Sequence, residues 1–352
     1  PICSGKAARL GNPHEDFHAL QSIHCSTSSN KHFPIEGYFR ANGKHKVRSI
    51  NNTSSGDKFV ILVSGANGQL GRRIVQHLIA RSPVRNAPAL AVSVRNPALA
   101  ADLAARGVDV REGDFDRSET LASAFAGVRK LVLVSTDGPA EARIRQHANA
   151  IAAARSAGVA HILYTSFIDV AEDSPAEFAR VHRHTEATLV ASGIPATLLR
   201  NTLYADDLPL LAAAALDSGI LALPADDGQV SLVSRDELAQ AIAAAALAPR
   251  LDKPVYELTG QQASDFGGIA ARIARVSGRP LSYKVLQATD YAAALEDHGC
   301  APWLATALST LFAAVAEGRL ARTSNDFAAL VGHPPKSLDC MIHEYFAPRS
   351  LP

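Results

Sequence analysis

The chain of 352 residues has little net charge and no long apolar run. Its formal net charge is +1, so nothing in the composition favours nucleic acid or an anionic membrane surface as a partner. The Ala-rich stretch Leu210–Leu216 is far too short to cross a bilayer, and no membrane-spanning segment is predicted. The length favours one large or two modest domains, and hydrophobic residues, at 47% of the chain, are enough for a sizeable core.

Cysteine is scarce, and the few cysteines are far apart. Cys3, Cys25, Cys300 and Cys340 form no CxxC pair, so neither a disulfide framework nor a cysteine zinc site is predicted. Reduced thiols are the simplest interpretation, and they favour a cytoplasmic location.

Residues 1–57 differ in composition from the rest of the chain. They are rich in His, Asn, Ser and Lys, lack the apolar core of a secretory signal, and show no clear periodicity. We therefore predict a disordered or non-native N-terminal extension. The scarcity of acidic residues leaves an organellar transit peptide as an alternative, although the stretch is not strongly Arg-rich.

The same extension contains an HExxH pattern that begins at His14, with a third histidine, His24, at the spacing of a zinc protease. Gln21 stands where that motif requires glycine for a sharp turn. The single methionine, Met341, is too distant to supply the expected Met-turn. We therefore predict no metal site.

A strand, a glycine turn and a helix follow one another from residue 59. Phe59 to Val63 is a short apolar run typical of a buried strand, and Arg72 to Ile79 has helical apolar spacing. Between them, Gly65, Gly68 and Gly71 recur at three-residue spacing. This arrangement is typical of a dinucleotide site, because glycines permit a tight turn and close backbone approach to a pyrophosphate at the helix N-terminus.

Strands and helices then alternate, which predicts an α/β fold: a Rossmann-type doubly wound parallel sheet with a smaller C-terminal α/β lobe. We expect the NADP-binding Rossmann domain at residues 58–204. The smaller lobe is expected at 205–346, interleaved with that domain, and a tail at 347–352. Predicted helices include Pro97–Arg106, Ser118–Phe125 with Ser118 as its cap, and Ser264–Ser277.

Arg95 follows the second predicted strand, about two dozen residues after Gly71. An acidic residue here would bind the ribose hydroxyls of NAD, whereas arginine matches the 2′-phosphate of NADP in charge and geometry. Arg72, at the helix start, could assist. Asp114 and Phe115 end the third strand and could border the adenine, with a turn aspartate and a core phenylalanine as the structural alternative.

Several segments together resemble one family, the NmrA-like atypical short-chain dehydrogenases/reductases. The similarity covers about residues 58 to 346 and is greatest to the branch of NADPH quinone oxidoreductase type 2 and triphenylmethane reductase. Its segments are Gly65–Gly71, Val94–Asn96, Gly113–Phe115, Ala157–Thr165, His182–Glu186, Leu199–Tyr204 and Ser324–Gly332.

The resemblance implies NADPH as cofactor and hydride transfer to a quinone or a conjugated, dye-like acceptor. It implies cofactor binding by Gly65, Asn67, Gly68, Gln69, Leu70, Gly71, Arg95, Asp114, Phe115, Ser135, Tyr164, Thr165, Ser166 and His182. It also implies catalytic roles for His182, Asn201 and Tyr204. The sequence lacks the Tyr-x-x-x-Lys pair of ordinary short-chain dehydrogenases. The resemblance implies that His182 takes the place of the lysine.

Other functions stay open at this point. The NmrA family also contains regulators that bind the dinucleotide and a protein partner without turnover, and the missing Tyr-x-x-x-Lys pair is compatible with that alternative. A sugar-nucleotide or isoflavone-type reductase is less favoured, because those relatives keep the lysine. A homodimer is plausible for the branch.

Overall fold

A computed structural model of the protein describes residues 59–81 and 89–348. The predictions for residues 1–57 and for the end of the tail, residues 349–352, lie outside the described residues. The main sheet has seven strands, all parallel. They are β1 (Val60–Ser64), β2 (Ala89–Val94), β3 (Asp109–Glu112), β4 (Val128–Leu133), β5 (His161–Phe167), β6 (Ala196–Asn201) and β9 (Val255–Leu258).

The strand order of this sheet is β3-β2-β1-β4-β5-β6-β9. The order reverses between β1 and β4, so the crossover connections on the two sides of this point lead in opposite directions. In such sheets the crevice at the carboxyl ends of the strands binds the ligand. The doubly wound Rossmann-type fold predicted from the alternating pattern is confirmed.

Helices cover both faces of the sheet. The helices up to residue 247 are α1 (Gln69–Arg81), α2 (Ala101–Ala104), α3 (Ser118–Ala124), α4 (Ala140–Ser156), α5 (Glu177–Ser192), α6 (Leu208–Ser218) and α7 (Arg235–Leu247). Helix α1 buries Ile74, Val75 and Leu78 in a core shared with α7, while Leu121 of α3 and Ile151 of α4 belong to the core on the opposite face. Each fully buried side chain of this size contributes roughly 1.5–3 kcal/mol.

The smaller lobe is α/β, as predicted, and has its own core. It contains two small sheets, one parallel between β7 (Ile220–Leu223) and β11 (Ser282–Val285), and one antiparallel between β8 (Gln229–Val230) and β10 (Ser264–Asp265). Its further helices are α8 (Phe266–Ser277), α9 (Ala288–Asp297), α10 (Pro302–Ala316), α11 (Asp326–Val331) and α12 (Leu338–Phe346).

The chain crosses between the two parts more than once. After β7 and β8, helix α7 packs against α1, and β9 joins the main sheet beside β6. Residues after 204 therefore contribute one strand, β9, and two helices, α7 and α11, to the Rossmann part.

Three local predictions differ from the structure. The expected helix Pro97–Arg106 is a 3₁₀ turn, Pro97–Ala100, followed by the short α2. Ser118 is the first residue of α3 and makes no capping bond. Residues Ser264 and Asp265 pair with β8, and the Asp265 side chain caps α8 by accepting from the Gly268 N–H at 2.7 Å.

Two findings bear on cysteines and membranes. Cys300 is a free thiol. Among the described residues, no helix combines the length and the apolar character that crossing a bilayer requires.

Candidate active site

A cavity of about 890 Å³ lies at the carboxyl ends of the sheet strands and extends beneath the smaller lobe. It brings together most of the site residues predicted from the sequence. Those that line it are Gly65, Asn67, Gly68, Gln69, Leu70, Gly71, Arg95, Asp114, Phe115, Ser135, Ser166, His182, Asn201 and Tyr204. Tyr164 and Thr165 were predicted with this group, but they lie behind the cavity wall.

The glycine turn follows β1 and leads directly into α1. Gly65 has a φ of 64°, in the left-handed region that favours glycine. The Gly68 N–H donates to the Gly65 carbonyl at 2.9 Å. A Cβ on Gly71 would lie 2.3 Å from that carbonyl oxygen, so only glycine lets the helix approach the turn this closely.

This turn fits the pyrophosphate of a dinucleotide. The Arg72 N–H begins the helical hydrogen bonding by donating to the Gly68 carbonyl. The N–H groups of the preceding residues of α1 have no intrahelical acceptor, and the helix dipole adds positive potential at this end. The backbone therefore offers donors to an anion, and the glycines leave room for the anion to approach.

The two arginines predicted near the 2′-phosphate have different surroundings. Arg95 is exposed, lines the cavity, and makes no hydrogen bond or ion pair with any described residue. Arg72 donates to both carboxylate oxygens of Asp102 at 2.7 Å and to the Leu99 carbonyl at 2.9 Å. Its guanidinium is thus already paired, Arg72 does not line the cavity, and its assistance at the 2′-phosphate stays a prediction.

Asp114 and Phe115 both border the cavity and both have structural roles. An Asp114 carboxylate oxygen accepts from the Asp116 N–H at 3.0 Å, which stabilises the turn after β3. Phe115 is buried in the core beneath the sheet, and its carbonyl accepts from Asn149 at 2.8 Å. Asp114 is therefore a turn aspartate and Phe115 a core phenylalanine, and both residues also line the cavity.

Thr165 stabilises the cavity wall through a hydrogen bond with Ser135. Its Oγ1 accepts from the Ser135 N–H at 2.8 Å, and this bond fixes the chain just after β4. Ser166, the next residue, lines the cavity and donates its hydroxyl to Glu186 Oε1 at 2.6 Å. Because that proton is used, Ser166 offers only lone pairs to a ligand.

Glu186 is fully buried and joins three elements. Besides Ser166 of β5, it accepts from Arg200 of β6, with Nε to Oε1 at 3.0 Å and the second guanidinium nitrogen to Oε2 at 2.8 Å. This paired geometry satisfies both carboxylate oxygens inside the protein. It ties α5, which carries His182, to the ends of two strands.

His182 is buried at the cavity wall between two partners. Its Nδ1 lies 2.8 Å from the Tyr164 hydroxyl, and its Nε2 lies 3.5 Å from a guanidinium nitrogen of Arg143. A guanidinium can only donate, which favours the tautomer with the proton on Nδ1, donating to Tyr164. Burial, then the charge of Arg143, holds the pKa of His182 well below its ordinary value.

A second buried histidine lies behind the first. His147 Nε2 accepts from the Thr136 N–H at 2.9 Å, so its Nδ1 carries the proton and donates to Thr185 Oγ1 at 2.8 Å. Burial and Arg143 lower the pKa of His147 as well. Burial raises the pKa of the Tyr164 hydroxyl. The histidines and the tyrosine are therefore neutral at ordinary pH, and the only charge among these groups is the guanidinium.

Tyr204 lies on the other side of the cavity, under an arginine. The Arg235 guanidinium carbon is 4.5 Å from the centre of the Tyr204 ring, and Arg235 donates to Asp207 at 2.7 Å. Burial raises the pKa of Tyr204, while the charge of Arg235 opposes that rise. All three side chains border the cavity.

Two neighbouring polar side chains at the end of β6 lack hydrogen bonds of normal geometry. Both amide atoms of Asn201 and the hydroxyl of Thr202 are buried without a partner among the described residues. The Asn201 amide is near enough to the Tyr204 hydroxyl to lower its pKa, but it is not placed for a bond of normal geometry. Since buried polar groups are normally paired, these atoms fit a ligand in the cavity.

Sequence reasoning missed several residues of the wall. They are Ser93, Asn96, Thr136, Asp137, Arg143, Thr202, Asp207 and Arg235. Ser93 and Thr136 carry a usable signal, because they lie at or just past strand ends. Arg143 and Arg235 lie in the first turns of helices that resemble ordinary surface helices in sequence, and only their packing brings them to the cavity.

Comparison with known proteins identifies the family. The NAD(P)H-binding family matches residues 65–249. Quinone oxidoreductase 2 of Escherichia coli (strain K12) is 37% identical over 279 residues, which cover 79% of this chain and 96% of that protein.

Comparison with solved structures indicates the same family. NADPH-dependent quinone oxidoreductase QOR2 from Escherichia coli, complexed with NADPH, is 36% identical with a TM-score of 0.76, over 81% of this chain and 99% of that one. Citrobacter sp. triphenylmethane reductase complexed with NADP(H) is 34% identical with a TM-score of 0.74, over the same shares of the two chains. The chain therefore belongs to the NAD(P)H-binding family, in its NmrA-like branch of atypical short-chain dehydrogenases/reductases, and is an NADPH-dependent oxidoreductase.

Proposed function

We propose that the protein transfers hydride directly from NADPH to a quinone or a related conjugated acceptor. One observation carries the proposal: a single cavity joins the glycine turn and Arg95 to His182, Asn201 and Tyr204. A dinucleotide whose pyrophosphate lies at Gly65–Gly71 would then extend its nicotinamide toward these last residues. The names of the relatives, which include a quinone oxidoreductase and an azoreductase, support an acceptor of this kind.

In this proposal the chain binds and orients the cofactor. The N–H groups at the start of α1 hold the pyrophosphate, and Arg95 holds the 2′-phosphate. Ser135 and Ser166 border the ribose and the nicotinamide. When bound, NADPH supplies the hydride, and the role of the protein is chiefly to set the nicotinamide against the acceptor.

The contacts of His182 support a positioning role for its ring. With Arg143 facing its Nε2, His182 presents an acceptor on that side rather than a donor to the ribose. We propose that Tyr164 and Arg143 hold the His182 ring in place and that the ring contacts the nicotinamide end by shape. Asn201 and Tyr204 face the acceptor.

Neither Tyr164 nor His182, the two groups beside the expected nicotinamide position, is a strong proton donor. Tyr164 is buried with a raised pKa, and His182 is neutral. An alkoxide formed from a simple ketone would need such a donor. A quinone or a cationic dye takes hydride without compulsory protonation in the same step, and solvent can later protonate the product. The protein environment therefore favours strongly electrophilic acceptors.

The test is turnover with purified protein. NADPH is mixed with a panel of benzoquinones, naphthoquinones and triphenylmethane dyes, and the loss of NADPH absorbance is followed. We expect saturable oxidation with at least one quinone, and no oxidation with simple aliphatic ketones. Tight NADPH binding without turnover on any acceptor would contradict the proposal and favour the NADP(H)-sensing regulator. The cytoplasmic location and the homodimer stay predictions, and light scattering in solution would test the dimer.

A further inference from the structure

The cavity changes character beyond Asn201. There its wall consists of aliphatic and aromatic side chains from the smaller lobe and the helices that join it. We call this region the apolar chamber and define it by Phe178, Leu208, Phe266, Leu308, Leu311 and Phe312. All six belong to the core of the smaller lobe.

Ring contacts connect the chamber to the nicotinamide end. The His182 and Phe167 ring centres are 6.0 Å apart, and those of Phe167 and Phe178 are 5.9 Å apart. On the far side, Phe266 and Phe312 meet edge to face at 5.5 Å. A molecule set against His182 would therefore have an aromatic wall beginning beside it and continuing into the lobe.

The near end of the chamber is polar, and its groups lack partners. Asn201 and Thr202 are 3% and 2% exposed, and their amide atoms and hydroxyl make no hydrogen bond of normal geometry within the described residues. Leaving such groups unpaired is costly, whereas a ligand carbonyl would accept from both the amide nitrogen and the hydroxyl. Asn201 and Thr202 would thus bind the polar end of a ligand, and the apolar chamber would bind its hydrocarbon end.

We infer that the acceptor is amphiphilic: a planar quinone whose carbonyl meets Asn201 and Thr202, and whose alkyl or prenyl substituent occupies the apolar chamber. This inference rests on the proposed function and narrows its substrate class. One turnover consumes one NADPH and one solvent proton per quinone and yields NADP⁺ and the hydroquinone. The substituent takes no part in the chemistry and contributes binding alone.

A homologous series tests the hydrocarbon end. The 2-alkyl-1,4-naphthoquinones, from the unsubstituted compound upward, are assayed with NADPH below their aggregation concentrations. We expect kcat/KM to rise by up to about fourfold per methylene, mainly through KM, until the chamber is full. A flat or falling profile alongside reduction of the unsubstituted quinone would overturn the inference and leave the proposed function standing. Reduction of no quinone would overturn both.

Paired variants of α10 separate the chamber from general stability. Leu308→Ala enlarges the chamber, so the chain length with the highest kcat/KM should increase. Leu304→Ala removes an equally buried leucine of the same helix that does not line the cavity, and it should keep the wild-type profile. The same profile in both variants would count against the chamber.

Thr202→Val tests the polar end, because valine keeps the shape and removes the hydroxyl. We expect kcat/KM for quinones to fall by roughly 2- to 12-fold, the effect of one hydrogen bond. The dissociation constant for NADPH, measured by fluorescence titration, should stay the same. An unchanged kcat/KM, or an equal loss of NADPH affinity, would show that the hydroxyl does not meet the acceptor.

Discussion

Arg95 lines the cavity and has no hydrogen-bond or ion-pair partner among the residues that the structure describes, unlike Arg72. A positive charge in this position favours NADP, because a 2′-phosphate forms charge-assisted bonds with it. We expect Arg95→Asp to weaken NADPH binding by about 10- to 100-fold, the effect of losing a bond to a charged group. NADH binding should change by no more than about threefold, and titration of each coenzyme against both proteins measures the difference.

Arg106→Gln is the matched control for that change. Arg106 is also exposed, but it lies outside the cavity and should alter neither affinity. If Arg95→Asp weakened both coenzymes equally, Arg95 would not be the 2′-phosphate ligand.

The residues near His182 show why single positions were hard to assign from the sequence. The His-x-x-Thr-Glu pattern identified His182 through the resemblance, and Thr185 and Glu186 prove to be buried partners of His147 and Arg200. Arg143 carried no such signal. It lies in the first helical turn after the β4 loop, where an arginine would ordinarily be solvated.

At the scale of elements, α1 packs closely against the turn after β1 at Gly71. We expect Gly71→Ala to destabilise the protein by about 1–3 kcal/mol, because the new Cβ must displace the Gly65 backbone that it would contact. The shifted turn should also weaken NADPH binding. Chemical denaturation and coenzyme titration measure the two effects.

Gln76→Ala, an exposed change on the same helix, should be nearly neutral or slightly stabilising, since alanine is a better helix former. Should Gly71→Ala behave like this control, the close packing of helix on turn would not limit this position.

The accuracy of the predicted elements followed the strength of their patterns. The apolar run at β1 was found because buried parallel strands contain almost only aliphatic residues. The stretch Pro97–Arg106 looked helical because it is rich in alanine, but its proline and short length allow only a 3₁₀ turn and one further turn. The two-residue strands β8 and β10 have no periodicity to detect.

At the scale of the whole molecule, buried neutral histidines link stability to pH. Burial is the largest effect on each of them, and it lowers the pKa of His161 to about 4. Burial also lowers the pKa of His147 and His182. Below the unfolded value of about 6.5 the unfolded chain binds protons that the folded chain does not. The contribution of these neutral histidines to the free energy of unfolding is therefore fully present above pH 6.5. It is lost as the pH falls from there toward 4.

We expect the free energy of unfolding to decrease by up to roughly 1.4 kcal/mol per pH unit for each such histidine in this window. Urea denaturation at closely spaced pH values measures the slope. His161→Gln keeps a polar partner for Thr197. It should reduce the slope of the unfolding free energy against pH by the contribution of one titrating histidine. A slope that His161→Gln leaves unchanged would mean that His161 is protonated in the folded protein.

The sequence by itself determined the fold class, the dinucleotide turn and the preference for NADP. These depend on local patterns: apolar runs, glycine spacing and a charged residue at a fixed distance along the chain. Tertiary structure alone decided the neutral state of His182, the partner of Arg72, and the chamber beyond Asn201. Each of these depends on which side chains from distant elements share a buried space, because burial and unpaired polar atoms arise only when those elements pack together.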